Sequence, residues 1–234
     1  MVVAIKVLAL LAGKTQPLGD TGEQSAINKQ PLSGRGQITE TGLLGDEQGD
    51  RKLHGGTEKA LHHYARDHYA FWREELMPAP SVLDAPGAFG ENISTLGMTE
   101  ADVCIGDVYA LGSALLQVSQ ARQPCYKLNV RFGWRQMART VQRTGRTGWY
   151  YRVLRMGIAE AGDELVLEER PHPDWSLARM LHVFYVDTLN MDSLREIAAL
   201  EALAPNWRKL ARRRLENGSV ESWALRLGEA SGVK

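Results

Sequence analysis

The chain has little cysteine and no excess of charge of either sign. Its 234 residues include only Cys104 and Cys125, which are too few for the disulfide framework of a small secreted protein. A chain of this length can bury a sizeable core without such bonds. Lys and Arg together number 28, as do Asp and Glu, which argues against a general nucleic-acid or membrane-surface binder. We therefore expect a cytoplasmic protein that works in a reducing compartment.

The sequence also lacks a long apolar run and the usual signatures of redox cofactors. The opening MVVAIKVLALLAGK is too short to span a bilayer and has no basic region ahead of it, so residues 2–11 predict a buried strand rather than a signal peptide. The histidines show no CxxC or HExxH spacing, and hydrogen bonding is favoured for them over zinc binding. Two cysteines cannot hold a four-cysteine iron–sulfur cluster. The sequence also lacks a strand-linked GxGxxG motif, which would indicate a flavin or nicotinamide site. If the protein is a redox enzyme, its electrons must come from another protein.

What is present, up to about residue 170, is a series of short apolar segments separated by glycine. They predict strands at 2–11, 59–64, 103–111, 114–119, 149–155 and 164–169, with a further short strand near 25–29. Gly112 and Ser113 suit the tight turn of a hairpin between two of them. Helical spacing occurs near 66–77, and mixed helical character over 134–143. Short strands with few long helices indicate a closed or strongly curved β structure.

The composition changes after Pro171, where glycine becomes sparse. Helices are predicted at 174–186, 192–203 and 205–217, with a short fourth near 220–227. Asp174 and Asp192 are expected N-caps, Pro205 suits a first helical turn, and Gly218 suits a C-cap. The predicted fold is mainly β with α (α+β): a β-barrel domain over 1–170 and a small helical domain over 171–234. About sixty residues are marginal alone, so this extension should pack on the barrel.

The third helix of the extension is basic, with Arg208, Lys209 and the run Arg212, Arg213 and Arg214. A nucleic-acid contact is one interpretation. No base-reading motif accompanies the charge, so a solvated face that pairs with acidic neighbours is favoured. The helix is also a hypothetical docking face for a partner protein.

Cys125 is the residue with the clearest chemical potential. It directly follows Pro124, whose φ is fixed, where the apolar run of residues 114–119 gives way to a loop. Three residues earlier, Arg122 supplies a permanent positive charge that can favour the thiolate and bind an anion. The alternative is a buried structural cysteine, and this stretch alone leaves both interpretations open.

Two glycine-bracketed stretches carry polar side chains, and the first could hold a phosphate. In the first, Arg51, Lys52 and His54 offer donors, and Gly55 and Gly56 allow the backbone to approach a ligand closely. The second runs over 89–97, and its polar side chains are Asn92, Ser94 and Thr95. Composition alone slightly favours a glycine-rich turn with solvated charges for the first stretch.

Taken together, these segments closely resemble the MOSC domain, the C-terminal domain of molybdenum cofactor sulfurases, and within that family its YiiM-like branch. The resemblance covers nearly the whole chain, and its motifs occur in the family's order. It departs from the family at Ala121, where many members have proline, and at Thr57-Glu58-Lys59 after the double glycine. The motifs are Lys29-Gln-Pro-Leu-Ser-Gly34, Gly42-Leu-Leu-Gly-Asp46, Lys52-Leu-His-Gly-Gly56, Phe89-Gly-Glu-Asn92, Gln117-Val-Ser119, Arg122-Gln-Pro-Cys125 and Gly162-Asp163.

The resemblance implies a MOSC-type β-barrel with a three-helix extension, which binds a molybdopterin-type molybdenum cofactor. Cys125 would be the protein ligand to the metal, and a soft thiolate suits that role. The implied cofactor-binding residues, which also include Cys125, are Arg51, Lys52, His54, Gly55, Gly56, Asn92, Ser94, Thr95, Ser119 and Arg122.

The activity implied is reduction of N-hydroxylated compounds, such as hydroxylaminopurine-type base analogues, hydroxylamines or amidoximes, with a detoxifying role. His54 or His62 would deliver a proton at neutral pH. The electron donor would be a separate flavoprotein or ferredoxin-type reductase, and the chain a monomer or homodimer without a membrane partner. One alternative is a cofactor carrier or sulfur-handling module without turnover. Another is a structural barrel whose helical extension binds nucleic acid.

Overall fold

The computed structural model describes residues 4–48 and 55–229. Three 3-10 turns lie within these ranges, at Gly19–Thr21, Thr57–Lys59 and Ser81–Leu83. The strands, in chain order, are β1 (Ala4–Ala12), β2 (Gln16–Pro17), β3 (Gln24–Ser25), β4 (Gln30–Pro31), β5 (Gly36–Thr39), β6 (Gly42–Leu43), β7 (Leu61–Ala65), β8 (Ile93–Thr95), β9 (Val108–Leu111), β10 (Ala114–Ala121), β11 (Trp149–Arg155), β12 (Gly157–Ala159) and β13 (Glu164–Glu169). The helices are α1 (His68–Glu75), α2 (Lys127–Phe132), α3 (Met137–Thr144), α4 (Leu177–Tyr185), α5 (Met191–Ala199), α6 (Pro205–Asn217) and α7 (Ala224–Leu227). None of these described helices has the length and apolarity needed to cross a bilayer.

Seven strands close into a barrel, which confirms the predicted α+β fold with a β-barrel. Their order is β13, β9, β10, β11, β7, β8 and β1, and β1 pairs back onto β13 with Ala4 opposite Val166. The β7–β8 pair is parallel, while the other barrel pairs are antiparallel. Closure leaves the barrel without an exposed sheet edge, and the apolar faces of its strands meet in the interior.

The structure differs from the sequence-based prediction just before and just after the β9–β10 hairpin. The strand expected over 103–111 begins only at Val108, because Asp107 Oδ2 accepts a hydrogen bond from the Cys104 amide at 2.9 Å and closes a turn. Helix α2 was not predicted. It begins two residues after Cys125 and ends at Gly133, which has a φ of 63°.

The helical extension follows the barrel as expected. Helix α6 has the predicted bounds, with Pro205 in its first turn and Gly218 as its left-handed C-cap. The two N-caps predicted at Asp174 and Asp192 are wrong. Ser176 Oγ caps α4 by accepting from the Arg179 amide at 3.2 Å, and Asn190 Oδ1 caps α5 by accepting from the Ser193 amide at 3.0 Å. Both side chains lie two residues from the predicted caps, with extended backbone that suits the cap position.

Barrel and extension share one hydrophobic cluster. Trp207 on α6 and Phe184 on α4 are fully buried in the same cluster as Val118 and Tyr109 of the barrel. Trp207 Nε1 also donates to Gln120 Oε1 on β10 at 3.0 Å. The predicted boundary between residues 170 and 171 therefore stays a prediction, drawn from composition rather than from a gap in packing.

Candidate functional site

Two cavities meet at the end of β10. The inner one has a volume of about 90 Å³ and lies among Ala26, Lys29, His62, Phe89 and Arg122. The outer one is a groove of about 730 Å³ between the barrel and the extension. Both are lined by Lys59, Cys125, Lys127 and Tyr150. Cys125 therefore lies where a small inner chamber opens into a wider groove.

Local hydrogen bonds fix the segment that carries Cys125. Before it, the Arg122 amide donates to the Gly148 carbonyl at 3.0 Å, so β10 stays aligned with the turn that precedes β11. After it, the Leu128 amide donates to the Cys125 carbonyl at 3.0 Å in the first turn of α2. Cys125 is half-buried, whereas Cys104 is buried, and no disulfide joins these two described residues. The position of Cys125 favours the chemical interpretation of this residue over the structural one.

Two side chains that line the inner cavity have buried polar atoms without partners in the described part of the chain. Arg122 Nη1 and His62 Nε2 are buried, and neither has a hydrogen-bond partner among the described residues. Arg122 bonds the Tyr150 hydroxyl, and the imidazole ring of His62 bonds the Gly90 carbonyl. Burial and the nearby Arg122 charge hold the pKa of His62 well below its usual range. The buried Arg122 Nη1 is therefore a cationic donor suited to a bound anion, while the neutral His62 ring, whose N–H bonds the Gly90 carbonyl, presents Nε2 as an acceptor.

A second network of buried polar side chains lies in the wall of this cavity. Lys29 Nζ donates to both carboxylate oxygens of Asp46, and both side chains are more than nine-tenths buried. Burial lowers the pKa of Lys29, while the Asp46 carboxylate opposes that shift. Asn92 Nδ2 donates to Asp46 Oδ2 at 2.8 Å and to the Leu11 carbonyl at 3.1 Å. The Lys29 charge is thus compensated within the wall.

The structure brings some of the predicted site residues together. Cys125, Arg122, His62 and Asn92 line the inner cavity, and Gly55 lines the outer groove. Asn92 acts within the wall, because its Oδ1 also accepts from the His62 amide at 3.0 Å and its amide group is occupied on both sides.

Other predicted site residues lie away from the cavity lining. Thr95 Oγ1 bonds His63 Nε2 at 2.8 Å, and Ser119 Oγ donates to the Glu58 carbonyl at 2.7 Å. Ser94 Oγ is buried without a partner among the described atoms, and Gly56 precedes the turn Thr57–Lys59. The predicted phosphate donors Arg51, Lys52 and His54 lie outside the described residues.

Sequence reasoning assigned no function to Lys29, Asp46, Lys59, Lys127 and Tyr150, although all five line the inner cavity. Lys29 and Asp46 do occur in two of the motifs that carry the family resemblance, and this membership could have indicated that they belong to the site. Nothing local in the sequence connects Lys59 and Tyr150, which meet because the turn before β7 lies against β11, with Lys59 Nζ 6.0 Å from the centre of the Tyr150 ring.

The basic helix α6 uses part of its charge inside the protein. Arg214 is 1 % exposed, and its Nη2 donates to Glu221 Oε1 at 2.7 Å. Its Nη1 donates to the Phe184 carbonyl at 2.9 Å. Arg212 Nη2 donates to the Ala198 carbonyl at 3.2 Å. Pairing with acidic and carbonyl neighbours accounts for these two arginines without a nucleic-acid ligand.

Comparison with known proteins shows which family this fold belongs to. The MOSC domain model matches residues 50–166, and a model described as the YiiM-like 3-alpha helix domain matches residues 175–218. The protein YiiM of Escherichia coli (strain K12) is 38 % identical over 215 residues, which are 92 % of this chain and 95 % of YiiM. The chain belongs to the MOSC family. Its extension is of the YiiM-like kind.

Further relatives agree with this membership. The crystal structure of YiiM from Escherichia coli superimposes with a TM-score of 0.81 at 32 % identity, and the likeness covers 96 % of this chain and 98 % of the other. A protein of Gibberella moniliformis (strain M3125 / FGSC 7600) named "Reductase" is 43 % identical over 196 residues, 83 % of this chain. This MOSC protein spans only 35 % of that relative's length.

Proposed function

We propose that this MOSC protein is a molybdenum-cofactor-dependent reductase of N-hydroxylated compounds. The observation that carries the proposal is the position of Cys125, a thiol where an anion-suited inner cavity opens into a wide groove. MOSC domains are associated with molybdenum cofactor binding, and a relative of this chain bears the name "Reductase".

The residues present fit such a cofactor. A soft sulfur ligand suits a metal that is also held by the sulfurs of a pterin. The orphaned Arg122 Nη1 supplies a donor for an anionic group beside it, and His62 Nε2 can accept from a protonated group there. Lys59 and Lys127 add positive charge where the cavity meets the groove. Arg51, Lys52 and His54 keep their predicted phosphate-binding role as part of the proposal.

When bound, the cofactor supplies two-electron chemistry that converts an N–O bond, with two protons, to an amine and water. The protein holds the metal through Cys125 and the anionic tail through Arg122. The groove, with Tyr126, Leu225 and Tyr150 among its lining, receives the organic part of the substrate. His62 is neutral at pH 7, so we propose that it contributes a hydrogen bond rather than a charged proton donor.

The test is Cys125→Ala, expressed in a host that makes the cofactor. Molybdenum content is measured by elemental analysis, and hydroxylaminopurine reduction is measured with reduced viologen as electron source. We expect turnover to fall by at least about 100-fold, since even the outer contacts of a bound metal are worth about 10- to 100-fold. Cys104→Ala is the matched control, because it removes the buried thiol and should leave both readouts unchanged.

Unchanged turnover and molybdenum content in Cys125→Ala would refute the proposal. A molybdenum-loaded protein that fails even a single-turnover reduction would instead indicate a carrier or sulfur-handling module. We also propose that electrons come from a separate flavoprotein or ferredoxin-type partner. Turnover by the purified chain with NADPH alone would contradict that part.

A further inference from the structure

The short helix α7 of the extension contacts the chain on both sides of Cys125. Arg226 Nη1 donates to the Pro124 carbonyl, the residue before Cys125. The backbone carbonyl of Arg226 accepts from the Tyr126 amide, the residue after Cys125, at 2.8 Å. A single residue of the extension therefore holds both neighbours of the thiol.

Further contacts fix this residue in turn. Arg226 Nη2 donates to Gln142 Oε1 on α3 at 2.6 Å. The guanidinium carbon lies 6.0 Å from the centre of the Tyr185 ring on α4. Next to it, the Leu227 carbonyl accepts from Asn129 Nδ2 on α2 at 2.9 Å. The arginine fork thus ties the Cys125 segment to α3 and packs near α4, geometry that a lysine cannot reproduce with one ammonium group.

We propose that Arg226 is a positioning residue for Cys125, which it holds in place before any cofactor binds. The Pro124 carbonyl lies between β10 and α2, outside the strand ladder of the one and the first turn of the other, whereas the Cys125 carbonyl is already held by the Leu128 amide. A charge-assisted hydrogen bond supplies the corresponding constraint at Pro124. The proposal itself concerns the conformation of the loop, and only its consequence for metal retention rests on the proposed function.

The main test uses the full chain without cofactor. The alkylation rates of Cys125 and Cys104 by iodoacetamide are followed separately by peptide mass spectrometry, together with hydrogen exchange at the Tyr126 amide. In Arg226→Ala we expect Cys125 alkylation and Tyr126 exchange each to quicken by about tenfold, because loss of a charge-assisted hydrogen bond shifts a local opening equilibrium by about that factor. Cys104 is the internal reference for global unfolding and should keep its rate.

Two further variants separate positioning from simple access. Leu225→Ala opens the same groove without touching the Pro124 contact, so it should leave Tyr126 exchange unchanged. Arg226→Lys keeps the charge on a single donor nitrogen, and should recover part of the protection of Cys125. If Arg226→Ala also speeds the alkylation of Cys104, the protein has unfolded more widely and Arg226→Lys becomes the deciding variant. In Arg226→Lys we expect Cys125 to be alkylated faster than in the unaltered protein and Cys104 at an unchanged rate.

Unchanged Tyr126 exchange in Arg226→Ala would overturn the proposal, even if alkylation quickened, because access alone would then explain the rate. Equal acceleration of both cysteines in Arg226→Lys would also overturn it. In cofactor-loaded protein, a heterogeneous Mo(V) electron paramagnetic resonance signal in Arg226→Ala is expected. A homogeneous signal identical to that of the unaltered protein would contradict the consequence for the metal, while leaving the result on the unloaded chain to stand by itself.

Discussion

Adjacent histidines on β7 are buried on opposite faces of the strand. His63 lies between the Tyr151 hydroxyl, 3.0 Å from Nδ1, and Thr95 Oγ1, 2.8 Å from Nε2. Burial lowers its pKa to about 3. His62 lines the inner cavity, and burial, with a further effect of Arg122, also lowers its pKa. Both side chains are therefore uncharged in the folded protein at neutral pH.

These two histidines should make the protein sensitive to acid. In the unfolded chain these histidines are protonated below about pH 6.5, whereas in the folded chain they stay neutral to a lower pH. Their contribution to the unfolding free energy is therefore fully present above about pH 6.5 and is lost as the pH falls towards the folded pKa. We expect each histidine to cost about 2 kcal/mol of unfolding free energy between pH 7 and pH 5. Urea unfolding at both pH values measures this loss, and His63→Gln should reduce it by about half. A loss of the same size in that variant would contradict the assignment.

Residues of the site differ in how far the sequence could identify them. Cys125 and Arg122 are visible because they lie three residues apart beside a proline, where local chemistry is suggestive. The Lys29–Asp46 pair forms across 17 residues, and its burial depends on how β4 and the turn after β6 reach the same wall. Tyr150 reaches the cavity only through the register of β11 with β7, which places it opposite His62. Such contacts arise from strand pairing and have no local pattern.

At the scale of elements, the turn before β11 is shaped by the absence of a side chain at Gly148. This glycine has a φ of 71°, and a Cβ there would lie 2.3 Å from the His63 carbonyl oxygen and 2.8 Å from His62 Nε2. Its amide donates to Glu100 Oε1 at 2.7 Å, and its carbonyl accepts from the Arg122 amide at 3.0 Å. The turn therefore connects the wall of the cavity to the start of the Cys125 segment.

Gly148→Ala should be far more destabilising than Gly145→Ala in the same turn. Gly145 has a φ of 70° with open space at the Cβ position, so its substitution carries mainly backbone strain of about 1 kcal/mol. At Gly148 the added clash should raise the cost to at least about 3 kcal/mol. Chemical denaturation of both variants gives the comparison. Equal losses of stability would show that the backbone relaxes and that the turn is not tightly packed.

The elements that the sequence predicted well are those with local signals. Helix α6 has a proline at its start and a glycine at its end, and the β9–β10 hairpin has Gly112-Ser113 at its turn. Helix α2 has only six residues and no capping side chain, so it depends on packing of Leu128 and Phe132 rather than on propensity. Because the helix depends on these tertiary contacts, the local sequence did not predict it.

At the scale of the whole molecule, the extension packs against the barrel and covers one of its apolar faces. Leu177 and Met180 on α4 and Trp207 on α6 are fully buried in the cluster that includes barrel residues. The Ala204 amide donates to the Ser119 carbonyl on β10 at 2.9 Å, six residues before Cys125. Without the extension, this face of the barrel would expose a large apolar surface.

A chain that ends at residue 170 should therefore fail to fold into a soluble monomer, although its barrel strands are all present. Exposed apolar area of this kind drives association, so we expect aggregation on expression and no cooperative thermal transition. A chain that ends at Trp223 is the matched control, because it keeps the Arg214–Glu221 pair and removes α7 with the residues after it. That control should fold and unfold cooperatively, yet show the fast Cys125 alkylation expected of Arg226→Ala. A soluble and cooperative 1–170 chain would show instead that the barrel is an independent folding unit, and the extension would then matter only for holding Cys125.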